Sequence, residues 1–161
     1  MLLAAVLDAL PSEIRPPILA AGGITTGSQI ASVLTMGADG AVVGTRFLFA
    51  HECMYTDAMK TVLLEAGMND TVRGLAFDDV NRTNVWPKEV NGRALKNDIW
   101  RDWEEGAELE ERRKRYDEGK AKKEKERMLV WTGVGVGLVH ELKGAAVCCT
   151  VNCISCLLMD I

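Results

Sequence analysis

Residues 16–50, PPILAAGGITTGSQIASVLTMGADGAVVGTRFLFA, contain two short apolar runs that each end in a glycine turn. The first run ends at Gly22 and Gly23, and the second ends at Gly44 and Thr45. Runs of this length between glycines and prolines are too short for helices and are typical of strands buried on both faces. The stretch therefore predicts two strands of a parallel sheet.

The segment between the predicted strands, Ile18–Ala21 and Gly40–Val43, has the features of a helix with defined ends. Thr26 and Gln29 have the spacing of a capping box, in which the two side chains bond backbone N–H groups of the first turn. Apolar residues then recur at helical spacing, and Gly37 follows as a typical C-terminal residue. Strand, helix and strand in this order form a parallel pair with a right-handed crossover.

Both glycine turns are therefore predicted at the carboxyl edge of the sheet, and a further helix follows over residues 54–66. Glycines let backbone N–H groups approach a ligand because no Cβ is in the way, and helix N-termini add partial positive charge. In (β/α)8 barrels, the loops after strands 7 and 8 often bind phosphate in this way. The pattern favours a phosphate-containing ligand, with tight turns alone as the alternative.

The composition excludes several classes of partner. Of 161 residues, 48% are hydrophobic and 26% are charged, with a net charge of −4, as in a globular protein without affinity for nucleic acid. Apolar segments such as 128–139 are shorter than a membrane span. The odd number of cysteines, five, and the absence of a signal-peptide pattern favour reduced thiols and a cytoplasmic location.

Two further segments favour structural interpretations. Cys153 and Cys156 form a Cys-x-x-Cys pair, but a zinc site needs a second pair and we expect no metal.

Residues 101–127 hold ten acidic and ten basic residues, and we expect a solvent-exposed helix with Glu108–Arg112 and Glu111–Arg115 ion pairs.

The composition divides the chain into four regions: glycine-punctuated βα units (1–67), a mixed loop and helix insertion (68–100), a charged helical arm with a glycine-rich segment (101–145) and a divergent Cys-rich tail (146–161).

At ILAAGGI and GADGAVVGTRF the sequence resembles the nitronate monooxygenase family, and it is similar there to flavin-dependent enoyl-acyl-carrier-protein reductases. The likeness to fungal-type members continues through FDDVNRTNVWP, NGRAL, EEGAELEERRKRY and VWTGVGVGLV, and it covers residues 1–145. The resemblance implies an α/β fold: a partial TIM (β/α)8 barrel, consisting of the last two βα units with strands 7 and 8, and a helical C-terminal extension. The other barrel strands are then expected to be absent from this chain.

The resemblance also implies FMN as the cofactor. The residues that match the family's FMN-binding motifs are Gly22, Gly23, Val42, Val43, Gly44 and Thr45. Gly23 would contact the phosphate region through its backbone, Gly22 would permit the close approach, and the hydroxyl of Thr45 would bond a phosphate oxygen.

Family members oxidise alkyl nitronates with oxygen to a carbonyl compound and nitrite, using a histidine base upstream of strand 7. This sequence has two histidines, His51 and His140, and both follow strand 8, so neither matches that base. We therefore assign no catalytic residue. The resulting hypothesis is a fragment of a nitronate monooxygenase. The alternatives are a non-catalytic remnant and a protein related to the enoyl reductases.

Overall fold

The structure is a computed structural model that describes residues 2–11, 15–87 and 89–149. Its strands are Leu19–Ala21 (β1), Gly40–Val42 (β2), Thr71–Arg73 (β3) and Arg93–Leu95 (β4). Its helices are Leu2–Ala9 (α1), Gly27–Thr35 (α2), Thr45–Leu48 (α3), Asp57–Glu65 (α4), Ala76–Asn81 (α5), Asp98–Glu104 (α6) and Leu109–Lys122 (α7). Two 3-10 turns, Lys125–Arg127 and Val136–Leu138, complete the named elements.

The first sheet has the predicted parallel pairing. Strand β1 pairs with β2 in the register Ala20 to Ala41, with α2 as the connection between them. The capping box at the start of α2 is also present, because Gln29 N donates to Thr26 Oγ1 while Thr26 N donates to Gln29 Oε1. Gly37 follows the helix with a φ of +102°, the left-handed conformation expected there.

The chain after β2 differs from the prediction by one extra element. Helix α3 follows Gly44 directly, whereas the sequence indicated only a turn before the helix at 54–66. That later helix is α4, and it begins after Thr56, whose hydroxyl accepts a hydrogen bond from Met59 N. Helix α3 has only one turn, which is too short for hydrophobic periodicity to reveal.

A second sheet lies within residues 68–100, where the sequence analysis predicted only loop and helix, and the C-terminal extension is therefore not purely helical. Strands β3 and β4 are antiparallel, and a bridge from Ala94 to Trp131 extends the pairing. A buried cluster around Phe77 packs α5, α6 and α7 against this sheet. Within it, the Phe77 ring lies 6.2 Å from Trp100 and 5.8 Å from Trp131, and Trp103 lies 4.7 Å from Trp100.

A second buried cluster joins the two halves of the chain. It contains Phe49 and Leu63 from the N-terminal half, Leu95 from β4, and Val130 and Val136 from the segment that follows. Because these side chains come from both halves of the sequence, helix α4 and strand β4 share one core.

The charged helix is less exposed than the sequence indicated. Helix α7 packs on α5 and buries Arg112 and Tyr116. The expected Glu108–Arg112 pair is absent because Glu108 is the N-cap residue, and the Arg112 guanidinium instead lies 3.1 Å from a carboxylate oxygen of Asp79. The Glu111–Arg115 pair is present at 2.9 Å.

Asp102 is the buried acid that ties α6 to its neighbours. One carboxylate oxygen lies 2.6 Å from Arg127 Nη1, and the other lies 2.9 Å from Arg115 Nη1. Burial acts to raise the pKa of Asp102, but the hydrogen bonds from Arg127 and Arg115 outweigh it and lower that pKa below its usual value.

We expect Asp102→Asn to lower the free energy of unfolding at pH 7 by about 3 kcal/mol, because two arginines lose a buried anionic partner. The pKa of Asp102 is lower in the folded state than its unfolded value of about 3.9, so the ionised carboxylate stabilises the fold above that unfolded value. This stabilisation is lost as the pH falls through the folded-state pKa of Asp102. The difference between wild type and variant should therefore shrink below about pH 4. Denaturant titrations between pH 3 and 7 measure it. Asp117→Asn, which breaks the exposed pair with Arg82, is the matched control and should cost less than about 1 kcal/mol. Equal losses for the two variants would contradict this account.

We expect Phe77→Ala to lower the free energy of unfolding by about 3–5 kcal/mol, because it leaves a cavity between Trp100 and Trp131. Val85→Ala should change it by no more than about 0.5 kcal/mol, since Val85 is 88% exposed. Urea unfolding followed by circular dichroism makes the comparison. A loss below 1 kcal/mol for Phe77→Ala would show that this cluster is not a packed core.

Candidate functional site

The two glycine turns lie at the same edge of the first sheet. Ala21 is paired with Val42 at the carboxyl ends of the two parallel strands, so Gly22 and Val43 follow side by side. Gly22 has a φ of +99° and Gly23 a φ of +73°, a left-handed conformation that glycine adopts without strain. The first turn therefore requires both of its glycines.

The space beside the turns is open. A Cβ added to Gly22 or to Gly44 would meet no atom within 4 Å, and both residues are exposed. Val42, the last residue of β2, is 50% exposed. Three of the six residues predicted to bind the cofactor, Gly22, Val42 and Gly44, are thus exposed at this edge of the sheet.

The glycine-rich segment, residues 133–135, lies against both turns. Gly133 N donates a hydrogen bond of 2.9 Å to Thr45 Oγ1. A Cβ on Gly23 would lie 3.0 Å from Val134 Cγ2, and a Cβ on Gly135 would lie 2.8 Å from the carbonyl oxygen of Gly23. The close packing explains why the sequence has glycine at these positions.

Thr45 has a structural bond that the sequence did not indicate. Its hydroxyl oxygen accepts from Gly133 N, whereas the resemblance implied a bond to a phosphate oxygen. A hydroxyl can accept and donate at once, so the Thr45 O–H can still donate to a ligand. The bond to Gly133 fixes the position from which it would donate.

The N-termini of α2 and α3 contribute less positive charge at the glycine turns than the sequence analysis predicted. At the start of α2, the side chains of Thr26 and Gln29 already accept hydrogen bonds from backbone N–H groups. Helix α3 has only four residues. Arg46, the nearest cation along the chain, is buried, and its Nη1 donates to the carbonyl oxygen of Glu141 at 3.1 Å. Backbone N–H groups are therefore the main donors that the turns offer.

Neither histidine lies in the glycine turns. His51 is exposed in the turn after α3, where its carbonyl oxygen accepts from Lys60 Nζ at 3.0 Å. His140 is exposed and borders a cavity of about 460 Å³ together with Arg46, Lys143 and residues 25–28 at the start of α2. The structure gives no reason to assign either imidazole to the predicted cofactor site.

Two general properties bear on the class of site. Across residues 2–11, 15–87 and 89–149, no three His, Cys, Asp or Glu side chains are grouped as a metal site would require. Within the same ranges, no helix has the length and apolarity to cross a membrane. The Cys153 and Cys156 pair lies outside the described residues.

The glycine-rich segment is the part of the site that sequence reasoning missed. The signal was present in VWTGVGVGLV, where glycine alternates with apolar residues. Such alternation marks places where backbones approach closely. It does not tell which distant segment is approached, and here that segment lies about ninety residues earlier, at Thr45.

A parallel βαβ unit with two open glycine turns at its carboxyl edge defines an α/β protein of the kind that binds ligands where its strands end. The sequence model for nitronate monooxygenase matches residues 1–147. The chain belongs to the nitronate monooxygenase family, as the two glycine motifs predicted.

Two fungal proteins are similar over most of the chain. The nitronate monooxygenase of Neurospora crassa is 32% identical over 143 residues, which are 87% of this chain and 38% of that protein. The nitronate monooxygenase npaC of Metarhizium robertsii is 34% identical over 138 residues, 81% of this chain and 39% of that protein. The chain thus spans about two fifths of the length of these relatives.

Solved structures have the same fold. A nitroalkane oxidase from Streptomyces ansochromogenes superposes with a TM-score of 0.74 at 25% identity, over 99% of this chain and 43% of that one. FabK from Thermotoga maritima superposes with a TM-score of 0.73 at 21% identity, over 99% of this chain and 49% of that one. These likenesses confirm the α/β fold class.

We expect Thr45→Val to release the glycine-rich segment, because Gly133 N loses its acceptor at a cost of about 1–3 kcal/mol. Thr45→Ser keeps the hydroxyl and is the matched control. Amide hydrogen exchange at Gly133 measures the effect, which should be about tenfold or more faster in the valine variant at that free energy. Unchanged exchange in Thr45→Val would show that this hydrogen bond does not hold the segment.

Proposed function

We propose that this chain provides the FMN phosphate site of a flavin-dependent nitronate monooxygenase. The proposed contacts are Gly22, Gly23, Val42, Val43, Gly44 and Thr45. The observation that carries the proposal is the open space beside Gly22 and Gly44 at one sheet edge, where a Cβ at either position would meet nothing within 4 Å. Membership of the nitronate monooxygenase family supports FMN as the occupant.

The residues fit a phosphate through their backbone rather than through charge. Successive peptide N–H groups in turns can bind anions, and we propose that the N–H groups of Gly22 and Gly23, both at positive φ, do so here. The Thr45 hydroxyl, held by Gly133, adds one oriented donor. Together they would fix one end of the cofactor.

In this proposal β1 and β2 correspond to strands 7 and 8 of a TIM barrel, and the C-terminal half, with its antiparallel sheet and its helices, is an extension of it. When bound, FMN would supply the redox chemistry by which a nitronate and oxygen are converted to a carbonyl compound and nitrite. This chain's residues would bind and orient the cofactor. We assign the catalytic base to none of them.

The second candidate is a remnant that binds FMN without catalysis, or that binds nothing. It is favoured by the position of both histidines outside the glycine turns. We also propose a cytoplasmic location, which rests on the odd number of cysteines, five.

Titration with FMN, followed by flavin absorbance and fluorescence, tests the proposed site. We expect Gly22→Ala to weaken FMN binding about tenfold, because a methyl group at a left-handed residue strains the turn and occupies the approach to the phosphate. Gly106→Ala is the matched control: Gly106 also has a positive φ, +75°, and no atom within 4 Å of an added Cβ, but it lies in the turn after α6. If the protein carries no flavin absorbance once free FMN has been removed, the proposal is overturned.

Nitrite release from a nitroalkane nitronate separates the two candidates. An FMN-binding chain that releases nitrite is the monooxygenase, whereas an FMN-binding chain without nitrite release is the non-catalytic remnant. Equal FMN affinity in Gly22→Ala and wild type would place the cofactor elsewhere.

A further inference from the structure

A cavity of about 460 Å³ lies between the start of α2 and residues 138–143. Residues 25–28 border it at the start of α2, Arg46 borders it from α3, and Leu138 and His140 border it from the later segment. The structure describes every residue of these segments. None of the six proposed FMN contacts lines this cavity.

Arg46 is a buried cation without an acidic partner. The residue is only 8% exposed. Its Nη1 donates to the carbonyl oxygen of Glu141 at 3.1 Å, and the guanidinium forms no ion pair with a described residue. The Glu141 carboxylate pairs with Lys143 instead. A buried charge without a counterion is costly, so an anion that approached Arg46 would be stabilised there.

Arg46 also keeps two donor atoms that a ligand can reach. Its Nε and Nη2 form no hydrogen bond with the described part of the chain. Neither atom belongs to the unpartnered polar atoms that are sealed from solvent, such as Arg112 Nη1. They therefore retain accessible surface, although the residue as a whole is buried. Nε and Nη2 lie on one side of the guanidinium and can donate in parallel to the two oxygens of a carboxylate.

The charges around the cavity suit an anion with a single charge. Lys143 and Glu141 both border it, but their ammonium and carboxylate groups lie 2.5 Å apart and offset each other. With the exposed imidazole of His140 neutral, Arg46 supplies the net positive charge of the described lining residues. A phosphate dianion would exceed this charge beside the Glu141 carboxylate, whereas a carboxylate matches it.

We propose that this cavity binds a small organic carboxylate. Nε and Nη2 of Arg46 would each donate to one carboxylate oxygen. The hydrocarbon body would cover Leu138, which borders the cavity and is 39% exposed, so that apolar surface leaves water. The ligand would thereby connect α3 with residues 138–143. The proposal is independent of FMN binding, because it uses none of the proposed FMN contacts.

Benzoate is the probe, and neutral benzamide, which has nearly the same shape, is its matched control. Isothermal titration of the full chain should show at least about tenfold weaker binding of benzamide, because only the carboxylate makes charge-assisted bonds to Arg46. Inorganic phosphate should bind more weakly than benzoate, and phosphate binding of equal strength would overturn the assignment to a carboxylate. Gly22→Ala, the variant that tests the FMN site, should leave the benzoate affinity unchanged.

Two substitutions test the site itself. Arg46→Lys keeps the positive charge but loses the paired donors, and it should weaken benzoate binding about tenfold. Because Arg46 is buried, Ser28→Asp guards against misfolding: Ser28 is exposed in the first turn of α2, where an acid stabilises a helix. Its added negative charge beside the cavity should weaken benzoate binding several-fold, whereas the neutral Ser28→Asn should retain it.

The near-ultraviolet circular dichroism of each variant checks that the chain stays folded. Equal affinity for benzoate and benzamide in the wild type, or undiminished benzoate binding in Ser28→Asp, would overturn the proposal.

Discussion

The packing of residues 130–136 against both halves of the chain is the interaction on which the rest of the structure depends. On one side, Leu95 N donates to the carbonyl oxygen of Val130 and extends the second sheet. On the other side, the Tyr55 hydroxyl donates to the carbonyl oxygen of Trp131, at 2.9 Å. Two-stranded sheets are marginal by themselves, so each half gains its stability by sharing this segment.

Local rules predicted the elements of the N-terminal half but not their burial: the apolar runs indicated strands buried on both faces, whereas Leu19 of β1 is 61% exposed and Val42 of β2 is 50% exposed. Glycines and prolines bounded the strands, and the Thr26 and Gln29 spacing located the start of α2. These signals act over a few residues, so they are readable without the fold. They also placed Gly22 and Gly44 at one edge, because two parallel strands joined by one helix must end on the same side.

The C-terminal half was harder to predict because its decisive contacts are distant in sequence. The acids and bases of α7 suggested pairs within one helix, yet Arg112 pairs with Asp79 on another helix. The contact of Gly133 with Thr45 is likewise invisible in a local pattern. Charge spacing predicts which pairs are possible within a helix, whereas packing decides which of them form.

The tryptophan pair on α6 has a consequence for how the fold can be observed. The rings of Trp100 and Trp103 lie 4.7 Å apart and are inclined by 32°. Two indoles held at that distance share their electronic excitation, and the inclination makes the coupled transitions optically active. The molecule therefore contains a chiral chromophore whose signal depends on the geometry of one helix, and it reports the integrity of the C-terminal core without any added label.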